Sequence, residues 1–335
     1  MSDPKEDTFC YLPFMQMLLQ PTGAISPCCW NQEIVYGMVP EQTLSEVWNS
    51  KAAQDLRQEF LDGTPKSCLT QMKHIGCHKR SGINRNFVQS LELSAIQSHA
   101  PSRLDVRLNG RCNLQCLMCE VWKQPNGLYN QADFWKLGST EIFPFLKEID
   151  VLGGEPFVQA DTYRLIDQVS AVNSDCIWCF VTNGNYHFNE TIRSRLNKIK
   201  IKWIQVSVDS INPNTYSKIR IGGDLKRTLA TIEALVCYQK QRNSENREFR
   251  VVASMCVQKL NWQEIPEFLN YCEKTKIMPI LQFAYAPTEI SLLSENLSLL
   301  KEIYLFLKLS CKKCDLATIE PIYLPIKEML QKNVR

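Results

Sequence analysis

Short β-rich runs alternate with helical stretches along most of this chain, and the alternation restricts its fold more than any other feature. The predicted strands after Pro101 cover residues 103–108, 148–152, 177–181, 204–208, 249–257 and 280–283. Amphipathic helical stretches lie between them, for example at 163–172, 228–241 and 263–273. Such alternation predicts βαβ units, right-handed crossovers and a parallel sheet. We therefore expect an α/β fold, a partial (β/α)6 TIM-like barrel whose chemistry lies at the carboxyl ends of its strands.

The first 97 residues have a different pattern, with short strand-like pieces around a Pro-Thr-Gly turn at 21–23. A predicted helix over 45–62 and a loop-rich stretch follow. We predict three domains. A small amino-terminal module covers 1–97, the barrel covers 98–290, and a helical carboxyl-terminal extension covers 291–335 and breaks at Pro321 and Pro325.

Cysteine is unusually frequent, since fifteen cysteines accompany only four histidines. Because fifteen is odd, complete disulfide pairing is excluded, and we expect metal or thiol chemistry in a reducing compartment. The first residues lack the features of a signal peptide, and no apolar run reaches the roughly 18 residues that cross a bilayer. We therefore expect a cytoplasmic protein without a membrane partner. A net charge of +3 does not indicate a nucleic-acid partner.

Cys112, Cys116 and Cys119 follow the first barrel strand with the spacing C-x3-C-x2-C. On a helix they would form one face, but the Asn109-Gly110 pair before them is a turn signal. Zinc favours four ligands, often including histidine, and no histidine is near in the sequence. Three soft thiolates suit an iron–sulfur cube with one iron left for another ligand. A zinc site and a packed helical stripe are the alternatives.

These cysteines resemble the signature of the radical S-adenosylmethionine (SAM) superfamily. Gly153-Gly154-Glu155-Pro156 follows the second strand and resembles that family's GGEP motif, which holds the amino group of SAM. A glycine pair lets a ligand approach the backbone, and a carboxylate can meet an ammonium group. The resemblance implies a [4Fe–4S] cluster on the three cysteines, with SAM bound to it. Further SAM contacts are implied at Met118 beside the adenine, at the strand-end residues Asn183, Ser207 and Asp209, and at Arg220 in the stretch 216–223.

Five more cysteines occur in the amino-terminal module, which resembles the twitch or SPASM element of radical SAM enzymes. The resemblance implies an auxiliary [4Fe–4S] cluster on Cys10, Cys28, Cys68 and Cys77. Cys29 competes with Cys28, because neighbours in a strand point to opposite faces and only one can face the cluster. A structural zinc on the same four residues is the alternative.

The resemblance also implies the reaction, in which a reduced cluster cleaves SAM and the 5′-deoxyadenosyl radical takes a hydrogen atom from the substrate. We expect a peptide or protein side chain as substrate, with a sugar, nucleoside or other small metabolite as the alternative. A non-enzymatic iron–sulfur or zinc sensor is a third interpretation. An electron donor such as flavodoxin or ferredoxin is the expected partner. Cys311 and Cys314 could meet on a helix, with core packing as the default and a redox or metal role as the alternative.

Overall fold

A computed structural model describes residues 9–68, 91–311 and 316–332. Its nine strands form one sheet in the order β3-β2-β1-β4-β5-β6-β7-β8-β9. The last six are the predicted barrel strands, with bounds β4 Arg103–Val106, β5 Glu148–Val151, β6 Ile177–Thr182, β7 Lys200–Ser207, β8 Arg250–Val257 and β9 Met278–Phe283. The β4–β5, β7–β8 and β8–β9 pairs are parallel. The α/β prediction with a parallel barrel sheet is confirmed.

The strand-like pieces predicted around the turn at 21–23 form the antiparallel pair β1 (Gln16–Leu19) and β2 (Ala24–Ser26). The short β3 (Gly37–Met38) pairs with β2. On its other side, β1 pairs in parallel with β4, with Gln16 opposite Arg103 and Leu19 opposite Val106. The amino-terminal module therefore extends the sheet beyond the first barrel strand.

Ten helices are present in the described residues, and those of the barrel lie between successive strands, as predicted. Their bounds are α1 Leu44–Trp48, α2 Lys51–Leu61, α3 Ala132–Leu137, α4 Ala160–Val172, α5 Glu190–Leu196, α6 Pro213–Ile219, α7 Leu225–Ser244, α8 Ile265–Thr275, α9 Leu297–Ser310 and α10 Leu316–Lys332.

The helix predicted over 45–62 is interrupted between α1 and α2. The Asn49 side chain donates to the carbonyl of Gln97 at 2.8 Å and accepts from the amide of Gln97 at 2.9 Å. Ser50 then caps α2 by accepting a hydrogen bond from the amide of Ala53. Two helices form because Asn49 bonds to a distant segment, which local helix propensity does not anticipate.

The predicted break at Pro321 and Pro325 is wrong, because α10 continues through both prolines. Its buried face consists of Ile319, Ile322 and Ile326, all fully inaccessible. Pro321 is exposed. Apolar burial along one continuous face offsets the backbone hydrogen bonds that the prolines remove. Among the described residues, no helix combines the length and apolarity needed to cross a membrane.

The chain divides into two compact units. The first contains Met1–Arg111, Lys123–Cys179 and Ser194–Lys200, and the second contains Cys112–Trp122, Phe180–Arg193 and Ile201–Arg335. The boundary falls inside β6, whose first half belongs to the first unit and whose second half belongs to the second. The domain boundaries at 97/98 and 290/291 stay a prediction.

Arg57 on α2 is a fully buried cation that ties the first unit together. Its Nε donates to the carbonyl of Pro13 at 2.8 Å, and Nη2 donates to the carbonyl of Trp48 at 2.7 Å. Nη1 donates to the carbonyl of Ala95 at 3.0 Å and to Asn49 Oδ1 at 3.2 Å. One side chain thus satisfies four acceptors from three segments, and each acceptor is costly to leave unpaired when buried.

Replacing Arg57 with Met should lower the free energy of unfolding by roughly 3–5 kcal/mol, because the buried acceptors lose their donor. Urea unfolding followed by circular dichroism measures this change. Lys51→Met on the same helix is the matched control, since Lys51 is largely exposed and pairs with the exposed Asp55. That control should change stability by less than about 0.5 kcal/mol. Equal effects of the two substitutions would contradict the importance of Arg57.

Candidate functional site

The cysteine loop, residues 112–119, has no regular secondary structure. Its backbone bonds to the end of α6, where the amide of Leu117 donates to the carbonyl of Ile219 and the amide of Gln115 donates to that of Ile221, each at 2.9 Å. An α-helix would require amides to bond four residues back along the same segment. The alternative of a packed helical stripe is therefore wrong.

Two sulfur atoms of the loop accept hydrogen bonds from N–H groups. Cys112 Sγ lies 3.4 Å from the amide nitrogen of Leu114 and 3.7 Å from Asn183 Nδ2. Cys116 Sγ lies 3.6 Å from Arg220 Nη1. Burial raises the pKa of the Cys116 thiol, and the Arg220 guanidinium opposes this shift by stabilising the thiolate. The sulfurs are thus surrounded by the donors that anionic, metal-bound thiolates require.

The donor set of this loop fits a [4Fe–4S] cluster. Thiolates are its usual ligands, and hydrogen bonds to the sulfurs are among the factors that adjust its potential. Cys119 and Met118 are both half-buried within the loop. A single short segment supplies all three cysteines of this donor set.

Asn183, at the end of β6, connects to the cysteine loop through Asn113. Asn183 Nδ2 donates to Asn113 Oδ1 at 2.8 Å, and Asn113 Nδ2 donates to the carbonyl of Asn185 at 2.7 Å. Sequence reasoning selected Asn183 and missed Asn113. The only available signal was the position of Asn113 directly after Cys112, which by itself does not indicate a role.

Ser207 and Asp209 lie at the end of β7, and the structure gives them different surroundings. Ser207 is half-buried, whereas Asp209 is fully buried and has φ of 62°. Asp209 Oδ2 accepts from Arg220 Nε at 2.6 Å, and Oδ1 accepts from the amide of Cys256 at 2.7 Å. Both carboxylate oxygens thus have protein donors. A SAM contact by these residues stays a prediction.

The motif Gly153–Pro156 lies in the first unit, directly after β5. A Cβ on Gly154 would come within 2.0 Å of the carbonyl oxygen of Arg111, and Gly153 has φ of 110°. The amide of Glu155 donates to that same carbonyl at 2.9 Å. The absence of a side chain at Gly154 thus permits close approach of the backbone of Arg111, the residue that precedes Cys112.

The Glu155 carboxylate is fully buried and accepts a hydrogen bond from the amide of Phe157 at 3.1 Å. Pro156 begins a short 3-10 helix that this carboxylate caps. Capping is therefore one role of Glu155, and it differs from the ammonium contact that the motif suggested. The SAM-amino role stays a prediction.

The amino-terminal cysteine group consists of Cys10, Cys28 and Cys68, which share Tyr36 as an electrostatic neighbour. Cys28 is buried, and the backbone amides of Trp30 and Asn31 favour its thiolate. The hydroxyl of Tyr36 is buried and has no hydrogen-bond partner among the described residues. A buried donor without an acceptor, beside three thiols, fits a site whose acceptors belong to a bound group. The residues present thus fit an iron–sulfur cluster.

Cys28 and Cys29 follow β2 outside any strand, and they have different neighbours. Cys28 interacts with Cys68, whereas Cys29 is exposed and lies beside the Arg107 guanidinium. The geometry thus groups Cys28 with the other cysteines. The predicted fourth ligand, Cys77, lies outside the described residues.

The carboxyl-terminal cysteine pair is only half described. Cys311 is half-buried after α9, and Cys314 lies outside the described residues. Core packing of this pair, with a redox or metal role as the alternative, therefore stays a prediction.

The structure brings together one further group that sequence reasoning missed. Ligand atoms of Glu148, Asp150 and Cys179 lie within 4.8 Å of one another. Arg103 Nε lies 3.2 Å from Glu148 Oε1, and its Nη2 pairs with Asp150. Because the Arg103 guanidinium pairs with both carboxylates, we describe this group as a buried ion-pair network.

Comparisons with known proteins agree with this geometry. Residues 106–272 match the model of the radical SAM superfamily, and residues 10–73 match that of SPASM, an iron–sulfur cluster-binding domain. GTP 3′,8-cyclase of Clostridium botulinum (strain Hall) is 26% identical over 179 residues, covering 52% of this chain and 53% of the relative. The probable GTP 3′,8-cyclase of Methanocaldococcus jannaschii is 24% identical over 199 residues, covering 58% and 63%.

The chain thus spans about half the length of the first of these curated relatives. Among solved structures, Streptococcus suis SuiB bound to the precursor peptide SuiA has a TM-score of 0.44 and 16% identity, over 72% of this chain and 50% of SuiB. The radical SAM match implies a [4Fe–4S] cluster and SAM as cofactors, and the SPASM match implies additional iron–sulfur binding. This chain belongs to the radical SAM superfamily and carries a SPASM domain before its radical SAM domain.

Proposed function

We propose that this protein is an enzyme that cleaves SAM reductively and takes a hydrogen atom from a peptide or protein side chain. The observation that carries the proposal is the cysteine loop, in which protein N–H groups donate to Cys112 and Cys116 sulfurs. When bound, the cluster and SAM supply one-electron cleavage of the sulfonium bond, which yields methionine and a 5′-deoxyadenosyl radical. A flavodoxin or ferredoxin is the proposed electron donor.

The residues of this chain have three tasks in the proposed reaction. Cys112, Cys116 and Cys119 hold the cluster that binds SAM. SAM itself is oriented by residues within the cysteine loop, at or after strand ends and after α6, namely Met118, Gly153, Gly154, Glu155, Pro156, Asn183, Ser207, Asp209 and Arg220. Cys10, Cys28, Cys68 and Cys77 would hold the auxiliary cluster, which would supply an electron acceptor for the product radical or a binding site for substrate.

The SPASM domain supports a peptide or protein substrate, because the elements that the amino-terminal module resembles most often serve enzymes that modify peptides. A purine nucleotide is the second candidate. The similarity to the curated relatives named GTP 3′,8-cyclase favours a nucleotide substrate, and it covers 52% to 58% of this chain. The proposed radical chemistry is the same in both cases.

Replacing Cys116 with Ala should abolish formation of 5′-deoxyadenosine, because the cluster loses one of its three ligands. The measurement is chromatography of 5′-deoxyadenosine after anaerobic incubation of reconstituted protein with SAM and dithionite. Cys237→Ala, which removes an exposed thiol on α7, is the matched control and should retain activity. Full activity of the Cys116 variant would refute the proposal, and absence of 5′-deoxyadenosine from wild-type protein would favour a non-enzymatic sensor.

Replacing Cys28 with Ala should lower the iron content by about four atoms per chain, the content of one cubane. SAM cleavage should continue at the other cluster. Cys29→Ala is the matched control one residue away, and its iron content should equal that of wild type. Iron and sulfide analysis of reconstituted protein measures both variants. Iron loss from the Cys29 variant alone would show that Cys29 is the ligand, and stoichiometric zinc would refute an auxiliary cluster.

Deuterium transfer into 5′-deoxyadenosine distinguishes the two substrate candidates. One incubation contains a library of perdeuterated short peptides, and another contains GTP deuterated on the ribose. We expect mass spectrometry to detect deuterated 5′-deoxyadenosine only with the peptides. Transfer from GTP alone would replace the peptide proposal with the nucleotide one.

A further inference from the structure

Arg220, directly after α6, is a buried cation held between an anion and a proposed cluster ligand. It is 8% exposed. Its Nε donates to Asp209 Oδ2 at 2.6 Å, while Nη1 lies 3.6 Å from Cys116 Sγ. One rigid guanidinium therefore connects a carboxylate with a sulfur atom, and the fork geometry of arginine suits such a two-sided contact.

The carboxylate side of this connection is immobilised by other parts of the second unit. Asp209 Oδ1 accepts from the amide of Cys256 at 2.7 Å. The Asn261 side chain donates to the carbonyls of Asp209 at 2.8 Å and Cys256 at 3.0 Å. Asp209 also has a left-handed φ of 62°, which is uncommon for a non-glycine residue. The anion that holds Arg220 is thus fixed in place.

The segment that contains Cys116 is also held in place. The residues on either side of Arg220, Ile219 and Ile221, accept the backbone hydrogen bonds of Leu117 and Gln115. These bonds hold the segment that contains Cys116 against the segment that contains Arg220. The contact between guanidinium and sulfur is therefore enforced by the backbone on both sides.

We propose that Arg220 is a positioning residue that raises the reduction potential of the SAM-binding cluster through Cys116, and that Asp209 fixes and partly neutralises it. This inference rests on the proposed role of Cys116 as a cluster ligand. Reduction adds one negative charge to the cluster, and a nearby cation that donates to a ligand sulfur stabilises the added charge. The opposing charge of Asp209 reduces this stabilisation.

The test is a redox titration of the reconstituted full-length protein without SAM, followed by electron paramagnetic resonance. The cluster of interest is identified as the component whose signal changes when SAM is added afterwards. Arg220→Met should lower its midpoint potential, and Arg220→Lys, which keeps the charge, should give a value between Arg220→Met and wild type. Asp209→Asn should raise the potential, because Arg220 then acts without its counter-charge. The control is Lys218→Met, which removes an exposed cation on α6 and should leave the midpoint potential unchanged.

Shifts of opposite sign at Arg220 and Asp209 support the inference, since damage to the loop would not move the potential in opposite directions. Unchanged potentials, or shifts in the same direction, would overturn it. An unchanged potential combined with weakened SAM binding in Arg220→Met would also overturn it and leave Arg220 as a SAM ligand alone. If wild-type protein binds no such cluster, the proposed function fails together with this inference.

Discussion

The cysteine loop depends on backbone hydrogen bonds to a segment far away in sequence. A loop without helix or strand cannot hold thiols in fixed positions through its own hydrogen bonds. Here the carbonyls of Ile219 and Ile221 accept from Leu117 and Gln115, so that the loop is held by the end of α6. Fixed sulfur positions are what a cubane with one open corner needs, because three ligands must by themselves define its orientation.

Charge is the second constraint on this region. Buried thiolates and a buried carboxylate are stable only when cations or N–H donors face them. Arg220 meets both Asp209 and Cys116, and the amide of Cys256 meets the other carboxylate oxygen. The left-handed backbone at Asp209 costs on the order of 1–2 kcal/mol, and these contacts offset that cost. The hydrogen bonds around Asp209 and the Cys116 sulfur thus compensate for the left-handed backbone at Asp209.

In the amino-terminal module, different groups surround the buried thiols. Its cysteines come from separate segments of the first unit, and their common neighbour is the buried Tyr36. Burial raises the pKa of the Cys28 thiol, so a metal bound there would have to supply the free energy that makes it a thiolate. Backbone amides of Trp30 and Asn31 lower that requirement. A cluster on these cysteines would therefore stabilise the fold of the module when it binds.

Much of the fold follows from local pattern. Alternating strands and helices predicted the parallel sheet. The predictions that proved wrong, such as the break at Pro321 and the uninterrupted helix across Asn49, concern positions where distant residues decide. Local propensity contains no information about such partners.

Within the candidate site, the sequence by itself determined the spacing of Cys112, Cys116 and Cys119, because all three lie within one short segment. Only the tertiary structure decided that Arg220 reaches Cys116 across 104 residues of sequence. It alone also separated the surroundings of Cys28 from those of Cys29. The physical reason is that hydrogen bonds and charge pairs between distant segments exist only after the chain has folded, whereas the spacing of neighbouring residues is set by the covalent chain.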